Sequence, residues 1–397
     1  MIYLDNNATT SLDPRVVASM RTYLDDSPGP SNPSSVHAAG RRARGAFEGA
    51  RRSLAEALGG EPLGLTFTGS GTESINLALV GRCRAARRKG APSGLLTTRM
   101  EHAAVLESAA LLSSEGHEVY WIDVDSRGAV DEESVVRALS ARENIGVVSL
   151  GMVNSEIGNL CDIKSLCARV KSVREEVIVH TDAVQALGKA PLHFGDLGVD
   201  LMSVTAHKIH GPVGVGALVH ARGLELDPVL RGGSQERGRR PGTPSVMLAE
   251  AFALAASFAT GEVEERRTHV RALRGCLVEL VEAHGGMVLG AASLQVGNTV
   301  SARFPGCDGA TLAMALDLEG VCVSTGSACS SGVAKASATM RAIGLSDADG
   351  QQVIRISLGK DNTKEELERF GATLGAVLSQ IRGGARSEPG NLAGGAS

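Results

Sequence analysis

The sequence has almost no net charge and no spacing that would pair its cysteines. Its 397 residues include 40 lysines and arginines against 44 aspartates and glutamates, a formal net charge of −4. A balance so near zero argues against a polyanion-binding protein. The cysteines number 7 and form no CxxC pair. This pattern disfavours a disulfide framework and a structural zinc site and indicates a reducing compartment.

Long hydrophobic runs are also missing. No uncharged apolar stretch reaches the roughly 20 residues of a transmembrane helix. The first residues include Asp5, Asn6 and Asn7 where a signal peptide would be apolar. We therefore expect a soluble, cytoplasmic protein that does not contact a membrane. The locally basic stretch 231–240 is interpreted as a solvated loop rather than a nucleic-acid site.

The chain instead alternates short apolar runs with helical patterns. With 43% hydrophobic residues it can bury a large core and should divide into two domains. Apolar residues at spacings of three or four over residues 43–58 predict a helix, and a mainly parallel α/β sheet fits the alternation. From about residue 260 the pattern shifts to a helix over 263–284 and later strands, which marks a second, smaller domain. Residues 383–397 are too poor in large apolar side chains to pack, and we expect them to be disordered. Strands are expected near residues 63–69, 94–98, 118–124, 145–153, 213–220, 298–304 and 321–324.

The segment DLMSVTAHKIHGPVGVGAL, residues 200–218, delivers Lys208 from the end of an apolar strand, beside a histidine and before a glycine-rich turn. A lysine whose surroundings disfavour the ammonium form can bond covalently to the carbonyl group of pyridoxal 5'-phosphate (PLP). Taken alone, Lys208 could also be an ordinary surface lysine. The remaining segments must decide between these two interpretations.

Upstream, the apolar run VIVHTDAVQALG ends in Asp182 and then Gln185. A carboxylate paired with the pyridinium nitrogen keeps the PLP ring an electron sink, and Asp182 suits that role. By itself, an aspartate at a strand end is more often a helix cap. The two segments together favour the PLP interpretation.

A phosphate site is indicated where the strand LGLTFTG meets the helix start SGTESINLALVG. Gly69 and Gly71 allow a tight turn there. The N–H groups of Gly71 and Thr72, with the Thr72 hydroxyl, would face an anion at the positive end of the helix. A glycine turn capped by serine or threonine is common, so the signal is weak when it stands alone.

Cys329 stands in STGSACSS, a run of small residues with the composition of a mobile loop. Most lone cysteines are inert, buried small hydrophobes, and Cys322 on the preceding apolar run fits that description. The small polar neighbours of Cys329 suit an exposed nucleophile better than a core residue.

In their order along the chain, these motifs resemble those of the cysteine desulfurases of the NifS and IscS type, in the class V aminotransferase group of PLP enzymes. The resemblance covers nearly the whole sequence. It is carried by YLDNNATT (3–10), NPSSVHAAGRRAR (32–44), GSGTES (69–74), EHAAVLE (101–107), VNSEIG (153–158), HTDAVQALGK (180–189), AHKIHGPVGVGAL (206–218), GGSQERGRRPGT (232–243), STGSACSS (324–331) and RISLG (355–359).

The resemblance implies an α/β protein with PLP-dependent transferase fold type I. A large PLP-binding domain, residues 12–259, would contain a mainly parallel seven-stranded sheet. A smaller α+β domain, residues 1–11 and 260–382, would carry the Cys329 loop. The implied activity removes sulfur from L-cysteine, giving L-alanine and a persulfide on Cys329. A homodimer would pass that sulfur to an acceptor protein, such as an iron–sulfur scaffold or a thiolation protein.

The resemblance also implies roles for individual residues, with no metal and no direct nucleic-acid contact. Lys208 would carry PLP, His102 would stack on the ring and move protons, and Cys329 would attack the substrate sulfur. Arg355 would bind the substrate carboxylate with a planar fork that lysine cannot replace. The other implied contacts are Asp182 with the ring nitrogen, Gln185 and Asn154 with the ring hydroxyl, Gly71, Thr72, Thr205 and His207 with the phosphate, Thr243 with the phosphate site of the other subunit, and Asn32 and Asn154 beside Arg355.

Plainer interpretations exist for some of these residues. His102 could be a polar residue at a helix start, Arg355 a strand-edge charge and Asn154 a turn former. The chain also departs from the family pattern, because Pro241 stands where serine is usual and Ser155 replaces the second asparagine of an NNE run.

Rival functions on the same scaffold are a selenocysteine lyase and a class V aminotransferase, and a PLP-binding assembly scaffold is the non-enzymatic alternative. Cys329 argues against transamination, which needs no thiol nucleophile. Lys208, Asp182, His102, Cys329 and Arg355 together argue against an inactive scaffold, which has no chemical need for all of them.

Overall fold

The computed structural model describes residues 1–25, 31–290, 294–325 and 335–384. Cys329 and residues 385–397, most of the tail expected to be disordered, lie outside these ranges. Strands of the described residues are β1 (Ile2–Tyr3), β2 (Leu65–Thr68), β3 (Gly94–Thr98), β4 (Val119–Ile122), β5 (Ile145–Gly151), β6 (Ile178–Asp182), β7 (Leu201–Thr205), β8 (Gly216–His220), β9 (Met287–Leu289), β10 (Thr299–Arg303), β11 (Val321–Cys322), β12 (Ser324–Thr325) and β13 (Val353–Ser357).

The α-helices alternate with these strands over most of the chain. A π-helical turn, Leu77–Gly81, joins α3 to α4. The α-helices of the described residues are α1 (Pro14–Asp25), α2 (Ala38–Ala57), α3 (Gly71–Asn76), α4 (Arg82–Arg88), α5 (Ala103–Ser114), α6 (Glu132–Ala141), α7 (Ile163–Val173), α8 (Phe194–Leu197), α9 (Val246–Gly261), α10 (Val263–Ala283), α11 (Gly309–Leu318), α12 (Ala338–Ala342), α13 (Asp347–Gly350) and α14 (Lys364–Gly384).

The central sheet has seven strands in the order β2–β8–β7–β6–β5–β3–β4. Strand β8 is antiparallel to β2 and β7, and the remaining pairs are parallel. Every residue of β3, β6, β7 and β8 is buried, as expected for strands covered by helices on both faces. The expected seven-stranded, mainly parallel sheet is therefore confirmed.

The carboxyl ends of the parallel strands form the edge where chemistry-bearing residues collect. Strand β6 ends at Asp182, which is in register with Gly151 at the end of β5. Strand β7 ends at Thr205 and leads into the 3₁₀ turn Ala206–Lys208. Ligands of open α/β sheets bind outside this edge, so the topology itself places these side chains at a binding site.

A second layer of structure joins the two ends of the chain. Strands β12, β13, β10 and β9 form an antiparallel sheet, and β1 pairs in parallel with β11. Ile2 and Leu4 pack in one hydrophobic cluster with residues such as Phe304 and Phe370. The domain division at residues 12–259 and 260–382 stays a prediction.

Within the described ranges, no single helix combines the length and apolar composition of a membrane span. Helices α9 and α10 meet that criterion only as a pair bent by 66°.

Candidate active site

A cavity of about 1030 Å³ opens at the carboxyl edge of the central sheet. It collects side chains from both sheets and from the N-terminal segment. The sequence-predicted site residues that line it are Gly71, Thr72, His102, Asn154, Asp182, Gln185, Thr205, His207, Lys208 and Arg355.

Lys208 reaches this cavity from the 3₁₀ turn that follows β7. Its Nζ donates to the backbone oxygens of Asn7, at 2.5 Å, and Ala8, at 2.6 Å. Burial, reinforced by the positive charge of Arg355, lowers the pKa of Lys208 to about 8. A far larger share of this lysine is therefore the neutral, nucleophilic amine near pH 8 than for an exposed lysine.

Asp182 lies at the end of β6 and is only 8% exposed. Its Oδ1 accepts a hydrogen bond from the N–H of Val184 at 3.0 Å. Burial raises the pKa of Asp182, and the neighbouring His102 and Lys208 oppose that rise. A buried carboxyl group facing a cavity is stabilised as the anion by a cationic ligand group, such as a protonated ring nitrogen.

His102 is the N-cap of α5. Its Nδ1 accepts a hydrogen bond from the N–H of Ala104 at 3.0 Å, so Nδ1 is the unprotonated nitrogen. His102 is therefore a helix-start residue, as the plainer interpretation held, and its Nδ1 makes the capping hydrogen bond. The other nitrogen, Nε2, carries the proton of the neutral ring and is left for chemistry in the cavity.

The start of α3, where the sequence predicts the phosphate site, lines one part of the cavity. Ser70 caps the helix through its Oγ, which accepts from the N–H of Glu73 at 3.1 Å. An added Cβ at Gly71 would lie 2.8 Å from Cγ2 of Val184, so this close approach requires glycine. The first N–H groups of a helix have no acceptor within it, and Gly71 and Thr72 both line the cavity.

Two further predicted phosphate ligands lie beside this helix start. Burial lowers the pKa of His207 to about 4, so its ring is neutral near pH 7, and Nδ1 lies 3.2 Å from Oγ1 of Thr9. The Thr205 hydroxyl donates to the backbone oxygen of Val215 at 2.9 Å. Thr205 therefore offers its oxygen lone pairs, not its proton, to other groups in this conformation.

Arg355 projects from β13 and is already paired with a carboxylate. Its Nη2 lies 2.8 Å from Oδ1 of Asp5, and Nη1 donates to the backbone oxygen of Ser155 at 3.4 Å. Its Nε is buried and has no hydrogen-bond partner among the described residues. The guanidinium thus combines one strong ion pair with unused donor capacity.

The side-chain amides of Gln185 and Asn154 form hydrogen bonds with other residues of the protein. Gln185 Nε2 donates to the backbone oxygen of Asn7 at 2.9 Å, and its Oε1 accepts from Lys189. Asn154 Oδ1 accepts from the N–H groups of Glu156 and Ile157, the geometry of a turn former. Their contacts with a ring hydroxyl stay predictions.

Three predicted residues are not brought into the lining of this cavity. Asn32 is exposed, and its Oδ1 accepts from the N–H of Ser34 at 2.9 Å. Thr243 lines a separate cavity of about 170 Å³ beside Gly69. Cys329 lies outside the described residues.

Asn7 is a central residue of the site that the sequence analysis left without a role. Its backbone oxygen accepts from both Lys208 and Gln185. Its Nδ2 donates to Oγ1 of Thr299 at 2.8 Å and to the backbone oxygen of Ser155 at 2.9 Å. In the sequence, Asn7 is marked only by its place in the YLDNNATT motif, and that motif gave no chemical reason to single it out.

Glu101 was also missed, although it directly precedes His102. Its carboxyl group accepts from the Thr98 hydroxyl at 2.8 Å and from the N–H of Gly151 at 2.9 Å. Burial raises the pKa of Glu101 to about 8, with a further contribution from Asp182. The side chain therefore braces the ends of β3 and β5 mainly in its protonated form near pH 7.

The chain is similar to known proteins over most of its length. The family model of the class V aminotransferases matches residues 2–370. The cysteine desulfurase IscS of Methanosarcina thermophila is 35% identical, over 96% of this chain and 93% of that protein. A solved NifS-like protein superposes with a TM-score of 0.88 at 36% identity, covering 96% of this chain and 99% of its own. The structure of SspA in complex with cysteine has a TM-score of 0.77 at 28% identity, and the match covers 91% of this chain and 100% of that one.

A mainly parallel sheet with a reactive lysine at its carboxyl edge defines the class, and the chain belongs to the class V aminotransferase family of PLP-dependent enzymes. Within that family it groups with the cysteine desulfurases.

The cavity fits PLP on the chemistry of its residues. Lys208 supplies an amine for the aldehyde, Asp182 a buried carboxyl group for the ring nitrogen, and the helix start at Gly71 a site for the phosphate. The aldehyde, the ring nitrogen and the phosphate of the cofactor thus each have a candidate partner in the cavity.

Proposed function

We propose that this protein removes sulfur from L-cysteine, using PLP, and yields L-alanine and a persulfide on Cys329. The observation that carries the proposal is the cavity in which Lys208, with its pKa lowered to about 8, shares the walls with Asp182 and Arg355. An amine, a ring-nitrogen partner and a carboxylate receptor together suit an α-amino acid.

Bound PLP would withdraw electrons from the substrate's α-carbon, which makes loss of the α-proton possible. Lys208 would hold the cofactor until the amine of the substrate takes its place, and its released neutral amine is then the base at hand for that proton. Arg355 would bind the substrate carboxylate through two parallel hydrogen bonds and so orient the α-carbon. Asp182 would stay ionised against a cationic ring nitrogen.

The thiol chemistry falls to Cys329. Its thiolate would form a bond to the substrate sulfur while the bond from that sulfur to the β-carbon breaks. The electron pair of the broken bond stays with the β-carbon, which takes up a proton to become the methyl group of L-alanine. His102 lines the same cavity and would move protons to and from the substrate. Thr325 and Lys335, the described residues that flank the 326–334 segment, both line the cavity, which supports action of Cys329 there.

We extend the proposal to the partners of the enzyme. A homodimer would use Thr243 at the phosphate site of the other subunit, and the cavity around Thr243 also contains Gly69, close in sequence to Gly71. The persulfide would pass to a sulfur-acceptor protein for iron–sulfur cluster assembly or thiolation. We place this activity in the cytoplasm.

The deciding experiment measures L-alanine and sulfide released from L-cysteine, with a thiol reductant present. We expect equal amounts of both products from the parent and neither from Cys329→Ala. Cys322→Ala is the matched control, because its thiol lies on β11 before the segment, and it should retain turnover. Alanine release that survives in Cys329→Ala contradicts the persulfide route.

The rival functions are separated by repeating the assay with an oxo-acid or with selenocysteine added. A class V aminotransferase would consume an oxo-acid and release no sulfide. A selenocysteine lyase would release selenide from selenocysteine and no sulfide from cysteine. An inactive scaffold would bind PLP and release neither product.

A further inference from the structure

We propose that Asp5 is a positioning residue that competes with the substrate's carboxylate for Arg355, and that it thereby limits how tightly the site holds both amino-acid substrate and amino-acid product. The inference rests on the proposed function, because it takes Arg355 as the carboxylate receptor. It concerns a residue to which neither the motifs nor the chemistry above gave a role.

The ion pair is built into the wall of the cavity. Nη2 of Arg355 lies 2.8 Å from Oδ1 of Asp5, and the two side chains are only 12% and 17% exposed. Ionic attraction at such a separation is much stronger away from bulk water than at an exposed surface. An incoming carboxylate therefore meets a guanidinium whose charge is already largely balanced.

Asp5 is fixed from two other directions. Its backbone forms a bridge with Ser357 on β13, the strand that carries Arg355. Its second oxygen, Oδ2, accepts a hydrogen bond from the Ser324 hydroxyl at 3.1 Å, and Ser324 is in register with Arg355. The carboxylate is thus held in position rather than free to swing into solvent.

The receptor nevertheless keeps room for a second anion. Arg355 uses Nη2 for Asp5 and makes only a long hydrogen bond through Nη1. Its Nε is buried without a partner among the described residues, and Arg355 lines the main cavity. A substrate carboxylate that binds Arg355 through Nη1 lies near the negative charge of Asp5 and binds less tightly than it otherwise would.

This competition has a use in turnover. L-alanine keeps the carboxylate of L-cysteine, so a receptor that held the substrate very tightly would also retain the product. A resident carboxylate weakens both complexes, because Arg355 is paired with Asp5 in each of them. It favours release at the cost of ground-state affinity.

The test compares ligands that differ by one carboxylate, in the PLP-loaded, full-length enzyme. The Kd values of L-alanine and of ethylamine are measured from the absorbance of the bound cofactor, for the parent and for Asp5→Asn. Asparagine keeps the shape and can still accept from Arg355, but it removes the charge. We expect the Kd of L-alanine to fall about three- to tenfold and that of ethylamine to stay unchanged.

Asp308→Asn is the matched control. Asp308 lines the same cavity, and its Oδ2 accepts from the N–H of Thr311 at 2.8 Å as the N-cap of α11, a role that asparagine also fills. This variant should bind both ligands as the parent does. Ser324→Ala, which frees only Oδ2 of Asp5, should shift L-alanine affinity in the same direction as Asp5→Asn by a smaller factor.

A second readout separates charge competition from a structural role. Asp5 and Asp182 raise the pKa of Lys208, whereas Arg355 lowers it. Asp5→Asn should therefore move the pH midpoint of PLP capture by the apoprotein downward. A variant that merely loosened the fold would weaken the binding of both ligands together.

Two failures are distinguishable. If the parent binds L-alanine no better than ethylamine, Arg355 is not a carboxylate receptor and that part of the proposed function fails. If the parent discriminates but Asp5→Asn binds L-alanine equally or more weakly, the competition is refuted while the proposed function stands.

Discussion

Lys208 and Arg355 act on each other through charge across one cavity. The positive guanidinium disfavours a second positive charge nearby and so supports the neutral amine of Lys208. The identity of Arg355 therefore affects both carboxylate binding and the reactivity of the lysine. Substitutions that keep or remove its charge separate these two effects.

We predict that capture of PLP by the apoprotein accelerates with pH around a midpoint near 8, the pKa of Lys208. Arg355→Gln removes the positive charge, so the midpoint should move upward, toward the ordinary lysine value. Arg355→Lys keeps the charge and should leave the midpoint in place while weakening L-alanine binding at least tenfold, because the planar fork is lost. Stopped-flow absorbance measures capture, and equal midpoints in Arg355→Gln and the parent would contradict the prediction.

Glu101 allows a prediction about stability and pH. Its pKa is raised to about 8 in the folded protein, against an ordinary value of 4.5. Between these values the unfolded chain loses its proton while the folded chain keeps it, so this group makes stability fall as pH rises from about 4.5 to 8. Glu101→Gln should match the parent near pH 4 and exceed its free energy of unfolding by about 4 kcal/mol near pH 8.

Urea unfolding of the apoprotein at several pH values checks this difference. Glu107→Gln, on the outer part of α5, is the control and should track the parent throughout. A stability difference that does not change with pH would rule out the raised pKa as its cause.

At the scale of elements, the sequence predicted well the positions of elements with a long apolar pattern. The expected strand over 94–98 is β3, and the expected helix over 263–284 is α10 within one residue. The expected strand from residue 213 begins only at Gly216, where β8 pairs with Thr205 of β7. That boundary depends on register between strands, which no local pattern encodes.

The short elements around Arg355 were the least predictable. Strand β12 is only Ser324–Thr325, and its existence depends on pairing with β13. Asp5 follows the two-residue strand β1, where an isolated acidic residue has no periodic partner to suggest a role. Lys208 and Asp182 could be placed at one edge because each follows an apolar strand of a parallel sheet.

The start of α3 gives a prediction at this scale. Gly71→Ala would put a methyl group 2.8 Å from Cγ2 of Val184, so the helix start must shift away from the cavity. We expect PLP affinity to fall at least tenfold with a lower Tm. Gly45→Ala, inside α2 with open space around it, should instead stabilise the protein by about 0.5–1 kcal/mol. Fluorescence titration with PLP and thermal melts measure both, and unchanged PLP affinity in Gly71→Ala would contradict the close-approach argument.

For the whole molecule, the site depends on contacts between distant parts of the chain. Asn7 reaches Thr299 on β10 with its side chain and Lys208 with its backbone oxygen. The sequence indicated which motifs matter, but it could not show that the N-terminal segment supplies the support of Lys208. Such contacts come from packing between remote segments, and a single sequence does not record them.

We predict that Asn7→Ala destabilises the protein by about 2–3 kcal/mol and weakens PLP binding, because it leaves the amide of Asn298 and the amine of Lys189 without this partner. Asn76→Ala is the control, since its exposed amide bonds only to the backbone oxygen of Thr72 within its own helix. That variant should change stability by less than about 0.5 kcal/mol. Equal unfolding midpoints in urea for the two variants would contradict the linking role of Asn7.

The pairing of β1 with β11 also governs when the protein can become active during its synthesis. Ile2 leaves the ribosome long before its partner Val321 is made. Asn7 must likewise wait for Thr299, and Asp5 for Arg355. A nascent chain that already contains Lys208 thus lacks a finished site, so premature termination before β13 leaves a fragment that cannot complete the catalytic cavity.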